Sequence, residues 1–136
     1  MTGTNRRQYF TETELDKLIG AARKGRYGHR DATLILIMAR HGLRVTEAVD
    51  LEWGQIDFTR AHLHVRRLKG GIASVHPIQG DELRALRELR RQSQGAFVFA
   101  SERGAPMTRF NVSKMVEAAG ERAGLPLIVE SLTATS

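Results

Sequence analysis

The sequence predicts a mainly α-helical domain that contains a small three-stranded antiparallel β-sheet, an α+β fold. Apolar residues recur at helical spacing in separate segments, which are residues 15–22, 30–41, 83–89 and 110–119. Short, partly alternating segments bounded by turn-like breaks predict the strands, and they are residues 57–59, 62–67 and 72–78. The length of 136 residues fits one domain with its own core.

The first helix is predicted to begin at a capping box. In this motif the Thr11 hydroxyl accepts the backbone N–H of Glu14, while the Glu14 carboxylate reaches back to the N–H of Thr11. Phe10 and Leu15 are placed to pack together as a hydrophobic staple. These signals set the start of the helix at Thr11.

A central helix is predicted next. The stretch from Arg30 to about His41 is apolar nearly all round, which is typical of a helix packed on several sides. Gly42 follows as a C-cap, and residues 43–51 begin a second, short helical stretch. Arg44 is therefore predicted to lie at a helix junction.

Two further helices are predicted in the second half of the chain. Leu83, Leu86 and Leu89 define one, whose outer face is rich in arginine. Residues 97–99 (FVF) form a compact apolar strand or extended segment, and Thr108 is the N-cap of the last helix.

The composition favours a polyanionic partner without identifying one. Lys and Arg total 21 against 15 Asp and Glu, a net charge of +6. Guanidinium groups bind phosphate bidentately, which suits nucleic acid, but an arginine-favouring genome would give the same composition. At this level the two explanations stay open.

The chain is predicted to work in a reducing cytoplasm and not in a membrane. It has no cysteine, so neither disulfides nor thiolate metal sites are available. The longest apolar run, residues 34–39, is far shorter than a membrane span, and residues 1–8 lack the apolar stretch of a secretory signal.

Two motifs carry a resemblance to a known family. Residues 41–48 read HGLRVTEA, residues 65–71 read VRRLKGG and residues 75–78 read VHPI. Residues 41–48 resemble the first arginine motif of the tyrosine recombinases, the phage integrase family. Residues 65–71 and 75–78 together resemble the catalytic-lysine hairpin of the same family, and the two motifs follow in the family's order. The resemblance covers roughly residues 9–127 and is closest to the small invertases that switch fimbrial genes.

This resemblance implies the N-terminal part of the DNA breaking–rejoining enzyme fold and a reaction without metal, ATP or other cofactor. In the family a tyrosine hydroxyl attacks a DNA phosphodiester, leaving a 3′-phosphotyrosyl link and a free 5′-hydroxyl. Fixed cations stabilise the developing charge and a general acid protonates the leaving oxygen. By resemblance Arg44 is the first phosphate clamp, Glu47 its positioning carboxylate and Lys69 the general acid.

Double-stranded DNA is the partner that the resemblance implies. The residues expected to bind it are Arg44, Lys69, Arg66, Arg67 and His76. For His76, which precedes a proline, a structural role is the alternative to a place beside the phosphate.

Simpler structural interpretations exist for the same residues. Arg44 and Glu47 are three apart near a helix start, where an ordinary ion pair contributes a few tenths of a kcal/mol, roughly. Lys69 beside two glycines is also a typical polar hairpin tip. His62 and His64 share one strand face, but no third ligand accompanies them, so no metal site is expected.

The sequence departs from the family pattern near its end. The family continues with a His-x-x-Arg motif, a further His or Trp and the nucleophilic tyrosine, whereas residues 128–136 read IVESLTATS. Tyr9 and Tyr27 both precede Arg44, so neither is carried over as the nucleophile. The chain is therefore expected to be truncated before the second arginine and inactive in strand cleavage by itself.

The expected organisation is a tail at 1–9, a partial catalytic domain at 10–127 and an aberrant tail at 128–136. The leading interpretation is a recombinase-like DNA-binding protein. The alternatives are an enzyme fragment completed in trans, a non-catalytic regulator that pairs with an intact recombinase, and a folded relic. Missing packing partners are expected to expose apolar surface along residues 30–50 and on the last helix, which favours self-association.

Overall fold

Helices and one small sheet form the structure, a computed structural model that describes residues 11–66 and 73–125. In chain order the elements are α1 (Glu12–Arg23), α2 (Gly28–His41), α3 (Val45–Val49), a 3₁₀ turn (Trp53–Gln55), β1 (Ile56–Asp57), β2 (His62–Val65), β3 (Ser74–Pro77), α4 (Gly80–Gln92) and α5 (Arg109–Ala123). The predicted fold class, mainly helical with a three-stranded antiparallel sheet, is confirmed.

Reciprocal caps begin both α1 and α5. The Thr11 hydroxyl accepts the Glu14 N–H at 3.1 Å and the Glu14 carboxylate accepts the Thr11 N–H at 3.0 Å, as predicted. Thr108 and Asn111 repeat the arrangement at 3.0 and 3.3 Å. Each cap satisfies N–H groups that the helix itself leaves unpaired. Phe10, the other half of the predicted staple, lies outside the described residues.

α2 is the central helix, packed between α1 and α4. Leu34 and Met38 on it are fully buried, in agreement with its apolar sequence. It begins at Gly28, two residues before the predicted Arg30, because the Gly28 backbone packs directly on the end of α1. Gly42 is left-handed, with φ of 64°, and caps the helix as predicted.

The sheet has the order β1–β2–β3, and both pairings are antiparallel. Leu63 is buried in the core, whereas its neighbours His62 and His64 lie on the other face, half-buried and exposed. β1 ends at Asp57, two residues earlier than predicted. The reason is that the Asp57 carboxylate accepts the N–H of Arg60 at 2.9 Å and starts a turn.

Residues 97–99 adopt the second of their two predicted forms, an extended segment. The Val98 N–H donates to the Leu51 carbonyl at 2.9 Å, and the Phe99 carbonyl accepts the Met107 N–H at 3.1 Å. These pairings are isolated bridges and not a strand ladder. They hold Phe99 fully buried in the core.

Within the described ranges, the exposed large apolar side chains are Phe110, 67% exposed, and Val75, 52% exposed. Phe110 lies in α5, the last helix, where exposed apolar surface was expected, whereas neither residue lies in residues 30–50, the other expected place. For residues 30–50 the expectation was wrong, because α1 and α4 already cover α2, and α5 contacts α3. No described helix is long and apolar enough to cross a membrane.

Candidate functional site

Arg44 lies at the junction of α2 and α3 on a firmly held backbone. Gly42 ends α2 and turns the chain just before it. The Arg44 N–H donates to the Glu47 carboxylate at 2.8 Å, and the Arg44 carbonyl accepts the N–H of Ala48 at 2.9 Å. Both polar groups of this backbone are therefore bonded, while the side chain is exposed.

The β2–β3 hairpin carries the other predicted residues. Arg66 directly follows β2, and its guanidinium lies 3.9 Å from the Glu52 carboxylate, with the Arg66 side chain 67% exposed. Such a surface ion pair contributes little to the stability of the fold and leaves the Arg66 guanidinium accessible. His76 lies in β3 and is half-buried. Arg67 and Lys69 lie outside the described residues.

A set of hydrogen-bonded side chains, here called the histidine network, joins β3, the end of α2 and α4. Its members are Ser74, His76, His41, Glu82 and Arg40. Ser74 Oγ lies 3.1 Å from His76 Nε2. His76 Nδ1 lies 3.1 Å from His41 Nδ1, and His41 Nε2 lies 2.5 Å from Glu82 Oε1. Arg40 Nη1 donates to Glu82 Oε2 at 3.0 Å.

Glu82 is fully buried and is a carboxylate within this network. Burial raises the pKa of Glu82, but hydrogen bonds from His41, from the Gln79 N–H and from Arg40 outweigh it and hold that pKa below its usual value. Arg40 also binds Asp81 through two bonds of 2.9 Å and lowers the pKa of Asp81. A buried carboxylate without such partners would carry an uncompensated negative charge. Because Arg40 and His41 belong to α2 and Glu82 belongs to α4, the network ties the two helices together.

Sequence reasoning did not single out Glu82, and it read His41 only as part of a motif. A signal was available, because Glu82, Leu86 and Leu89 follow helical spacing and a charged residue on an apolar helix face needs partners. His41 likewise follows Met38 by three residues on the buried side of α2. The pairing itself was not predictable, since the two residues are 41 positions apart.

Tyr27 lies at the opposite end of α2 from Arg44. The intervening helix has 14 residues and is therefore about 21 Å long. The Tyr27 ring lies 4.4 Å from the Arg30 guanidinium, and its hydroxyl donates to Glu102, which raises the pKa of Tyr27. A local cluster therefore holds this tyrosine about one helix length from Arg44.

Sequence comparisons identify a matching family model and several related proteins. The model of the Phage integrase family matches residues 8–134. Type 1 fimbriae regulatory protein FimE of Escherichia coli (strain K12) is 34% identical over 127 residues, covering 88% of this chain and 64% of FimE. FimB of the same strain is 30% identical over 128 residues, covering 90% of this chain and 64% of FimB. The chain thus spans a little under two thirds of the length of these relatives.

Solved structures show the same fold. A λ integrase (75–356) dimer bound to a COC′ core site superposes with a TM-score of 0.77 at 22% sequence identity, over 98% of this chain and 52% of the integrase chain. At this identity the likeness concerns the fold alone. Because the family model matches nearly the whole sequence and FimE shares a third of the aligned residues, the chain belongs to the phage integrase family of tyrosine recombinases.

Proposed function

We propose that this chain binds the phosphate backbone of double-stranded DNA as the Arg44-bearing part of a site-specific tyrosine recombinase. The supporting observation is the exposed Arg44 side chain on a backbone held by the Gly42 turn and the Glu47 carboxylate. A guanidinium presented in this way can bind two oxygens of one phosphate. The λ integrase dimer with the same fold is, by its name, bound to a core site.

The hairpin supplies the remaining groups in this proposal. Lys69 serves as the general acid, and Arg66 and Arg67 bind neighbouring phosphates, with His76 beside them in β3. The net charge of +6 supports a polyanionic partner. The cytoplasm is the proposed place of action.

The 136 residues by themselves are proposed not to cut DNA. Their tyrosines are Tyr9 and Tyr27, both upstream of Arg44, and the family's second arginine motif is not found among them. Groups that act as a unit lose almost the whole rate when some are missing. Incubation with a nicked suicide duplex should leave no covalent protein–DNA product on a denaturing gel, and a covalent band would contradict the proposal.

A second copy of this chain, bound to the same DNA, is the other partner in the proposal. Related integrase structures are named as a dimer on a core site and a tetramer on a Holliday junction. Sedimentation velocity with a duplex that holds two adjacent sites should show two protein chains on one DNA. A single protein per duplex at tens of micromolar protein would contradict this.

The deciding experiment measures duplex binding by fluorescence anisotropy across a salt series. Wild type is compared with Arg44→Ala, Lys69→Ala and the control Arg26→Ala, which removes the same charge at the far end of α2. Arg44→Ala should weaken binding about tenfold, as expected for one charged hydrogen-bonding contact, and should lower the salt slope by about one. Arg26→Ala should change both much less.

Equal effects of Arg44→Ala and Arg26→Ala would mean that only the net charge matters, against a phosphate clamp at Arg44. No binding at low salt would leave the family relationship as one of fold and ancestry.

A further inference from the structure

The histidine network contains a hydrogen bond that only one arrangement of protons satisfies when both rings are neutral. His41 and His76 face each other through their Nδ1 atoms at 3.1 Å. One of these nitrogens must carry the hydrogen and the other must be bare, because two N–H groups or two lone pairs would repel. The neighbours of the two rings decide which nitrogen carries it.

Glu82 determines which of the two facing Nδ1 atoms carries the hydrogen. Its carboxylate accepts from His41 Nε2 at 2.5 Å, so neutral His41 carries its hydrogen on Nε2 and has a bare Nδ1. His76 must then donate from its own Nδ1 and accept at Nε2, where the Ser74 hydroxyl lies 3.1 Å away. Arg40 and the Gln79 N–H keep Glu82 ionised and oriented from the other side.

We propose that His41 and Glu82 are positioning residues that hold His76 in the Nδ1–H tautomer and thereby fix strand β3 against the Arg44 end of α2. His41 is the last residue of α2 and stands three positions before Arg44. β3 is one strand of the hairpin that carries Arg66 and Lys69. The network thus joins the two elements that supply the phosphate-binding groups, and this role rests on the proposed function.

The tautomer is measurable without DNA. Long-range ¹H–¹⁵N correlation spectra of the histidine rings at pH 8 report which nitrogen of each ring is protonated. His76 should be protonated at Nδ1, whereas neutral solvent-exposed histidines favour Nε2. A His76 protonated at Nε2 would overturn the proposal.

Glu82→Gln tests whether Glu82 fixes the two tautomers. An amide can either accept a hydrogen bond from His41 or donate one to it, so it no longer selects one tautomer. His76 should then become a mixture of tautomers, and duplex affinity should fall about fivefold, as expected for one lost hydrogen bond. Asp81→Asn is the matched control, since Asp81 binds Arg40 but not His41. It should leave the His76 tautomer unchanged, and an unchanged tautomer in Glu82→Gln would exclude Glu82 as a positioning residue.

A second pair of variants is available if Glu82→Gln does not fold. His76→Asn places an amide N–H near the Nδ1 position and keeps the donor to His41, whereas His76→Gln places it near Nε2. Both variants lose the imidazole itself, so they are compared with each other: duplex affinity should be about fivefold higher for Asn than for Gln, and the reverse order would overturn the proposal. Failure of wild type to bind DNA would refute the proposed function but leave the tautomer assignment standing.

Discussion

At the residue scale, Gly28 allows α2 to start directly on the end of α1. A Cβ atom at this position would lie 1.9 Å from the Arg23 carbonyl oxygen and 2.7 Å from the Arg23 carbonyl carbon. Both atoms belong to the backbone, so the helices themselves would have to move. Gly28→Ala should lower the free energy of unfolding by about 1–3 kcal/mol, the usual cost of overpacking.

Gly20→Ala is the control for this prediction. Gly20 lies in α1, is exposed, and has no atom within 4 Å of an added Cβ. Replacing a helical glycine by alanine there should raise the free energy of unfolding by roughly 0.5–1 kcal/mol. Urea unfolding followed by the fluorescence of Trp53, the single tryptophan, measures both variants. Equal effects would contradict the predicted clash at Gly28.

Individual residues were predictable from the sequence where the signal is local. The Thr11–Glu14 cap and the Gly42 C-cap depend on a few neighbouring residues, and both are confirmed. The contact of Gly28 with Arg23 depends on how two helices meet, and no local pattern encodes it.

At the scale of elements, the junction between α2 and α3 sets the direction in which the Arg44 side chain extends from the protein surface. Gly42 has φ of 64° and ψ of 32°, a conformation that costs a residue with a Cβ roughly 1–2 kcal/mol. Gly42→Ala should therefore destabilise the fold by about that amount, and Gly42→Asn should cost less because asparagine tolerates this region. Urea unfolding measures the difference.

The same pair of variants tests whether the junction serves DNA binding. If Arg44 binds phosphate, Gly42→Ala should weaken duplex binding more than Gly42→Asn, measured at a temperature where both are folded. Wild-type affinity for both would show that Arg44 does not depend on the turn.

The boundaries of elements were less predictable than their existence. β1 ends early because the Asp57 carboxylate binds the Arg60 N–H, and α2 starts early because of the packing at Gly28. In both places a side-chain bond or a contact between helices overrides the apolar pattern from which the boundaries were predicted.

At the scale of the whole molecule, carboxylates should make stability depend on pH below about pH 5. The Arg60 backbone N–H lowers the pKa of Asp57, Arg40 lowers that of Asp81, and for Glu82 burial raises the pKa but hydrogen bonds led by His41 outweigh it. The ordinary values are 3.8 for Asp and 4.5 for Glu. Since the folded state binds these protons less readily, the groups stabilise it above those values and the contribution is lost as the pH falls through the lowered pKa values.

Asp31 has the opposite effect on the pH dependence of stability. Burial raises its pKa, and protonation at low pH removes the buried charge. The three lowered groups should outweigh it, so the urea midpoint should fall between pH 5 and pH 3. Asp81→Asn should show a smaller fall than wild type, with Asp16→Asn, on an exposed turn of α1, as the charge control. A midpoint that rises on acidification would contradict the assignment.

Of the candidate site, the sequence supplied the residues of the two motifs but not the support behind them. Arg44 and Glu47 were found by resemblance, and the structure adds the hydrogen bond that joins them. The histidine network was missed because its members come from α2, β3 and α4 and meet only in the folded chain.

The packing of α1 against α5 has a kinetic consequence. The Arg122 guanidinium donates to the Ala21 carbonyl at 2.7 Å across 101 positions of sequence, and the two helices lie side by side. At synthesis rates of roughly 5–20 residues per second, α1 waits on the order of 5–20 s on the ribosome before its partner exists. During that interval Leu18 and Ala22, which the finished fold buries, have no native surface from α5 to pack on. The nascent chain is therefore open to chaperone capture and aggregation until α5 emerges.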